Sequence, residues 1–159
     1  MSRSNIHATG LVLDDTGLIL RGPSGVGKSI LALELLDDWD ARGRPAKLVS
    51  DDRVEVEATP GGLLMHAPAT IAGLIELRGR GIVSRPYVAS APLHLVVDLV
   101  DELVRMVEED ALVTTLEGVT LARCPVPRAG IVDSRHQLLL IREALRAVGK
   151  LSTRRKKSA

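Results

Sequence analysis

Gly22-Pro23-Ser24-Gly25-Val26-Gly27-Lys28-Ser29 carries the spacing G-x-x-x-x-G-K-[ST], the pattern of a loop that wraps phosphate. Its glycines let backbone N–H groups curl around an anion without Cβ clashes. A helix N-terminus directly after the loop adds partial positive charge at the same place. Lys28 is expected to reach the outer phosphates of a nucleotide as a point charge, and Ser29 to place its hydroxyl on Mg²⁺. A second feature is Leu48-Val49-Ser50-Asp51-Asp52, an apolar strand ending in two carboxylates. A strand-end Asp beside bound phosphates can hold Mg²⁺ or accept a proton. Neighbouring residues on a strand point to opposite sides, so one of the two Asp is expected to face the nucleotide. Glu76-Leu77-Arg78-Gly79-Arg80-Gly81 offers a carboxylate for metal and cations for phosphate; a salt-bridged, half-exposed strand would read the same way. His7, placed in the first strand, could tune the proton affinity of a nearby Asp, or be structural.

The elements that must position these residues follow from periodicity and turn chemistry. Residues 6–13 alternate loosely and end in Asp14-Asp15-Thr16-Gly17, a turn sequence. Leu18 to Arg21 then reads as the strand that feeds the loop, so the two form a hairpin and the sheet is mixed. Residues 29–41 read as a helix, with Ile30, Leu31, Leu33, Leu35, Leu36 and Trp39 apolar, ended by Arg42-Gly43-Arg44-Pro45. A strand follows at 46–50, then a second hairpin from 54–57 and 63–66 around Thr59-Pro60-Gly61-Gly62. Residues 68–73 read as a loop or one helical turn. Residues 74–78 alternate, with Glu76 and Arg78 on one face and the aliphatics on the other. Residues 93–100 read as a central strand, 101–110 are charged and ambiguous, and 119–123 form a strand that stops before Pro125-Val126-Pro127. Residues 132–148 form an amphipathic helix that Gly149 ends. The expected organisation is one P-loop domain over 1–150 and a basic, disordered tail over 151–159, which contains Arg154-Arg155-Lys156-Lys157.

Composition narrows the function classes. The chain has 159 residues, is 45% hydrophobic and carries a formal net charge of +1. That suits a globular domain with a sizeable core and gives no general field for DNA or an anionic membrane. Phe is absent, and Trp39 and Tyr87 are the only aromatics. The core is therefore aliphatic, and the stacking platforms of a single-strand nucleic-acid binder are missing. Cys124 is alone, which excludes an internal disulfide and a cysteine zinc cluster; it reads as a small buried apolar residue. No apolar run is long enough to span a membrane, and no secretory leader pattern opens the chain. The reading is therefore cytoplasmic.

His7-Ala8-Thr9-Gly10-Leu11-Val12-Leu13, Gly22 to Ser29, Leu48 to Asp52 and Leu74 to Gly79 occur in one order. In order and spacing they resemble the catalytic domain of bacterial HPr kinase/phosphorylase, well over roughly residues 5 to 100 and loosely over 101 to 148. The resemblance implies an α/β P-loop kinase domain with a mixed sheet, related to phosphoenolpyruvate carboxykinase. It implies ATP- and Mg²⁺-dependent phosphorylation of a serine on HPr, the phosphocarrier protein of the phosphotransferase system. It also implies the reverse phosphorolysis, which uses inorganic phosphate and makes pyrophosphate. By matched position, Asp52 is the general base, His7 the active-site histidine, and Lys28 and Ser29 the phosphate and Mg²⁺ pair. Glu76 is a Mg²⁺-associated glutamate, and Arg105, more weakly, an arginine of the dephosphorylating direction. The family assembles as hexamers, so a homo-oligomer is implied.

Five departures stand out. Pro23 replaces the family's Asp, Ile30 its Glu, and Arg80 an apolar residue. The late motif shrinks to Pro125-Val126-Pro127-Arg128-Ala129-Gly130, in a loop that serves dephosphorylation. The resemblance is to the short alphaproteobacterial form, so a protein without the N-terminal domain of longer members is expected. Two other readings stay open: a P-loop small-molecule kinase, and a nucleotide sensor that signals by binding.

Overall fold

The computed structural model describes residues 3–157, with side chains described for residues 3–149. Strands β1 (Arg3–Ile6), β2 (Ala8–Leu13) and β3 (Thr16–Arg21) open the chain. The phosphate-loop sequence leads into α1 (Lys28–Ala41) and then β4 (Ala46–Ser50). A hairpin of β5 (Val54–Thr59) and β6 (Gly62–His66) follows, with one 3-10 turn at Ala69–Ile71. Next come β7 (Leu74–Leu77), β8 (Gly81–Ser84), β9 (Ser90–Leu93) and β10 (Leu95–Val100). The chain ends with β11 (Val113–Leu116), β12 (Val119–Pro127) and α2 (Ser134–Lys157).

Six strands form one mixed sheet in the order β11-β12-β10-β3-β2-β4. Strand β10 runs parallel to β3 and β12, while β2 runs antiparallel to both its neighbours. Strands β1, β5, β6 and β9 make a second, antiparallel sheet. Side chains alternate across the larger sheet, so each strand serves two cores. Leu18, Leu20, Leu95 and Val97 pack with Leu31, Leu35 and Trp39 of α1 and Ile141 of α2. Ile19, Val49, Val96 and Leu121 point the other way, onto Val54, Val56, Leu63, Met65 and Leu93 of the smaller sheet. Helices, six-stranded sheet and four-stranded sheet are thus three layers, and both cores are aliphatic apart from Trp39, Met65 and Cys124. Cys124 is buried in the helix-side core, where loss of water pushes its thiol pKa up to about 12. It behaves as the apolar residue expected.

The mixed α/β sheet, the hairpin feeding the loop and the position of β10 at the centre match the sequence reading. Several boundaries differ. The run 93–100 breaks at His94, where Gly17 N–H donates to His94 Nδ1 at 3.0 Å and His94 N–H donates to the Gly17 carbonyl at 2.8 Å. Strand β12 continues through Pro125 and Pro127, because β11 pairs only as far as Ala122 and β10 alone flanks the strand beyond. Missing N–H groups cost nothing on such a free edge. Gly149 does not end α2, which runs on to Lys157. One glycine costs only about 1 kcal/mol in a helix, and its Ala- and Leu-rich flanks compensate. Residues 151–157 of the segment expected as a basic, disordered tail fall within the bounds of α2; residues 158–159 lie outside the described residues.

Candidate active site

The larger sheet brings three chain segments to one edge. Strands β3 and β4 end there, and the antiparallel β2 between them begins there. The edge therefore receives the loop after β3, Asp51-Asp52 after β4, and His7 and Thr9 before and within β2. Ligands of open α/β sheets bind at this carboxyl end.

The loop is built as its sequence requires. Gly27 is the N-cap of α1 at φ 101°, a left-handed conformation, and no side chain caps the helix. The first N–H groups of a 14-residue helix are thus turned to the loop without intrahelical partners, as an anion site needs. The Lys28 side chain folds back over the loop. Its Nζ donates to the Gly22 carbonyl at 2.7 Å and the Pro23 carbonyl at 3.1 Å. Lys28 is 5% exposed, and burial lowers its pKa against the opposing pull of Asp52 and Asp51. The ammonium is therefore held by its own loop.

Both carboxylates after β4 face the loop. The expectation that only one does is corrected, because strand geometry stops at Ser50. Asp51 lies in a bend and Asp52 takes the left-handed conformation, φ 65°, a cost of order 1–3 kcal/mol for a non-glycine residue. Asp51 Oδ1 accepts from the Ser29 hydroxyl at 2.8 Å and from the Thr9 hydroxyl at 3.0 Å. Its Oδ2 accepts from the Glu76 N–H at 3.2 Å. Thr9 Oγ1 in turn accepts from the Asp52 N–H at 3.2 Å. Asp52 Oδ1 lies 2.6 Å from His7 Nε2 and 4.0 Å from Lys28 Nζ. The Asp52 side chain is 58% exposed, so an incoming group can reach it. His7 sits not within the first strand but at the break between β1 and β2, where the chain passes from one sheet to the other. Ser24 Oγ is 3.5 Å from His7 Nε2.

A cavity of about 330 Å³ is lined by Ser24, Gly25, Gly27, Lys28, Ser29, Ile30, Asp51, Asp52, Glu76 and Arg78. Glu76 and Arg78 belong to a separate two-stranded ribbon of β7 and β8, not to a buried sheet strand. Leu74 shares their exposed face, and only Ile75 turns fully into the core. Arg78 Nε is 3.9 Å from Glu76 Oε1, and its guanidinium lies beside Gly25. Pro23 and Val26 shape the loop itself, with the Val26 N–H donating to the Pro23 carbonyl at 3.3 Å.

Arg105 is not brought to this cavity. It lines a larger apolar cavity of about 800 Å³ bounded by β10, β12 and α2. The connection after β10 turns that way because Arg123 donates to the Ala111 carbonyl at 2.9 Å, tying the segment to β12. Sequence reasoning also missed Thr9 and the bracing role of Asp51. A threonine in an apolar strand carries no signal until its hydroxyl is seen, fully buried, between the two Asp.

The donor set suits Mg²⁺ with nucleotide phosphates: one hydroxyl, Ser29, and hard carboxylate oxygens from Asp51 and Glu76 around a cationic loop. Among the described residues no three His, Cys, Asp or Glu side chains close on a point to cage an ion by themselves. Mg²⁺ needs no such cage, since it takes one or two protein ligands plus phosphate and water. No helix among the described residues is long and apolar enough to cross a membrane.

Known proteins are similar to this chain in fold and in sequence. The structure of the Hpr(Ser) kinase/phosphatase from Coxiella burnetii superposes with a TM-score of 0.75 at 27% identity, covering 98% of this chain and 95% of that one. The HPr kinase/phosphorylase of Brevibacillus brevis is 40% identical over 82 residues, 51% of this chain and 24% of its own length. That of Clostridium tetani is 34% identical over 83 residues, 52% of this chain and 25% of its own. The matched segment thus spans about a quarter of these curated relatives. With residues 1–128 matching the family model itself, the chain belongs to the family of the HPr Serine kinase C-terminal domain.

Proposed function

We propose that the chain is a protein-serine kinase that transfers the γ-phosphoryl group of ATP, with Mg²⁺, to a serine of HPr and so regulates the phosphotransferase system. The observation that carries the reading is the Asp52 carboxylate, exposed at the mouth of the phosphate loop and held between His7 Nε2 and Lys28 Nζ. A proton acceptor placed beside a phosphate cradle and open to solvent suits an acceptor presented by another protein. A small-molecule kinase would instead be expected to enclose its acceptor.

In the forward direction Asp52 accepts the serine proton as the serine oxygen bonds to phosphorus and the bond to the ADP oxygen breaks. His7 orients the carboxylate through its 2.6 Å contact. Lys28 leaves the Gly22 and Pro23 carbonyls for phosphate oxygens. The N–H groups at the start of α1 hold the same phosphates through the transfer. Mg²⁺, held by Ser29 with Asp51 or Glu76, would neutralise charge on the phosphate oxygens. In reverse, with inorganic phosphate as attacking group, the same carboxylate returns the proton to the serine oxygen and pyrophosphate leaves. Work in the cytoplasm as a homo-oligomer, as the family resemblance implies, is part of the proposal, and no direct nucleic-acid contact is.

The test is to incubate the purified chain with Mg²⁺, ATP and HPr from the same organism and to map phosphate by mass spectrometry. One phosphoserine on HPr is expected, with pyrophosphate released when the product meets inorganic phosphate. No phosphoserine would overturn the reading.

A further inference from the structure

The Thr9 hydroxyl meets both residues of the Asp51-Asp52 pair, and it uses its donor and acceptor sides separately. Asp51 Oδ1 lies 3.0 Å from Thr9 Oγ1. An ionised carboxylate only accepts, so the single hydroxyl proton goes to Asp51. A backbone N–H only donates, so the oxygen lone pairs are left for the Asp52 N–H at 3.2 Å. Thr9 is 0% exposed, and a hydroxyl shut away from bulk water needs such partners. No side chain without a hydroxyl can fill both roles in the same space.

The strands are built to bring these groups together. The pairing of β2 with β4 shifts register between Gly10 and Leu11, a bulge that passes one extra residue of β4 along β2. Leu11 stands against Leu48, but Gly10 stands against Ser50, so the next step along the chain brings Asp51 opposite Thr9. Without the shift Thr9 would face Ser50. Gly10 holds the strands at this height, since a Cβ there would stand 3.2 Å from Met65 Sδ and from a Val54 methyl. Asp52 then turns into the left-handed region at φ 65°, where a side chain is strained unless its surroundings hold it. Thr9 holds its N–H, and His7, two residues before Thr9, meets its carboxylate at 2.6 Å. One short stretch of chain therefore fixes Asp52 at both backbone and side chain.

We propose that Thr9 is a positioning residue for phosphoryl transfer: its buried hydroxyl holds Asp52 in the left-handed conformation and so places the carboxylate where the acceptor hydroxyl arrives. The bond to the Asp52 N–H stands on geometry alone, and its effect on transfer rests on the kinase reading above. Thr9 touches no reacting atom and acts through Asp52. Thr9→Val keeps the shape and the β-branching and removes both hydrogen bonds. Thr9→Ser keeps the hydroxyl and loses only a methyl group. The Ser29 hydroxyl and the Glu76 N–H still hold Asp51 in either variant, so nucleotide binding is not the property that changes.

The experiment has two readouts on wild type, Thr9→Val and Thr9→Ser, with Thr9→Ala in place of Thr9→Val if that variant does not fold. The first is deuterium exchange of the Asp52 amide by NMR. Wild type and Thr9→Ser are expected to protect it, and Thr9→Val to exchange it at least about tenfold faster as the local contact opens. The second is steady-state transfer from MgATP to HPr of the same organism. For Thr9→Val kcat should fall by about tenfold to a hundredfold, the scale of a displaced reacting group. The KM for MgATP and for HPr should stay within about threefold, and Thr9→Ser should restore kcat to within about threefold of wild type. A Thr9 that served only to stabilise the fold would give a kcat that holds in every folded variant, which would overturn the positioning role. An Asp52 amide that is unprotected in wild type, or that exchanges alike in wild type and Thr9→Val, would overturn the bond itself, whatever the chain phosphorylates. A wild-type chain that leaves HPr unphosphorylated while the Asp52 amide is protected would overturn the kinase reading and the effect on transfer with it.

Discussion

The Asp51 carboxylate accepts the Ser29 hydroxyl at 2.8 Å, across the gap between β4 and α1. The same carboxylate takes the Thr9 hydroxyl and the Glu76 N–H. One side chain therefore ties together the metal-side serine, the strand between the two site strands and the β7–β8 ribbon. Its removal should loosen the nucleotide site without touching the proposed base.

Asp51→Asn supplies a first check. An amide replaces one acceptor oxygen with a donor, so at least one of the three contacts is lost. Hydrogen bonds to charged groups contribute about 1.5–3 kcal/mol each. MgATP affinity, measured by calorimetry, should fall by roughly tenfold to a hundredfold, since about 1.4 kcal/mol is a factor of ten. Thermal stability should fall modestly. Unchanged MgATP affinity would show that Asp51 braces nothing the nucleotide uses.

A second concerns Asp98, in β10. Arg21 donates to both its oxygens, at 2.7 and 2.9 Å, and Arg123 to Oδ2 at 2.6 Å. Burial alone would raise the Asp98 pKa, but the two guanidinium groups outweigh it and hold the carboxyl below the usual range. Arg21 immediately precedes the phosphate loop. Asp98→Ala leaves two half-buried cations without their partner. The loss should be about 2–3 kcal/mol, less than the ~3–5 kcal/mol of a fully buried pair because solvent reaches both arginines. For a domain of this size the melting temperature should fall by roughly 5–10 °C. A fall under about 2 °C would mean that water pairs the arginines as well.

His94 gives the pH dependence. Its Nδ1 must be unprotonated to accept the Gly17 N–H, and burial lowers its pKa. A lowered folded pKa means that the unfolded chain binds the extra proton first. Stability is therefore full above the ordinary histidine pKa of about 6.5 and is lost as pH falls through it toward the folded value. The urea midpoint should decline across that window. The chain has four histidines, so the readout is the difference from His94→Asn, which keeps an acceptor and should decline less. Equal slopes would remove His94 from the account.

Much of the site was legible because its signals are local. Residues 22–29 announce their own conformation, and the apolar run before Asp51 announces a strand end. What stayed hidden depends on how the chain turns after a strand stops. Two Asp on an extended strand must diverge; two Asp in a bend, the second left-handed, converge on one cavity. The sequence 51–52 does not say which applies. Thr9 was invisible because a buried hydroxyl in a strand looks like any β-branched residue. Arg105 was placed by resemblance in a charged segment without periodicity, and packing against β12 carries that segment elsewhere. Gly149 and the prolines of β12 misled for the opposite reason. Each breaks a rule whose cost is small where a neighbouring strand is absent or a long helix surrounds it.

The central claim is that Asp52 takes the acceptor proton at a P-loop held ready by Lys28 and His7. It is tested most directly by single-turnover phosphoryl transfer from MgATP to HPr with wild type and Asp52→Asn, both first checked for MgATP binding. The account predicts MgATP affinity within a few-fold of wild type and a transfer rate lower by about 10²–10⁴, the range of general-base catalysis. An Asp52→Asn chain that transfers phosphate at the wild-type rate would contradict it.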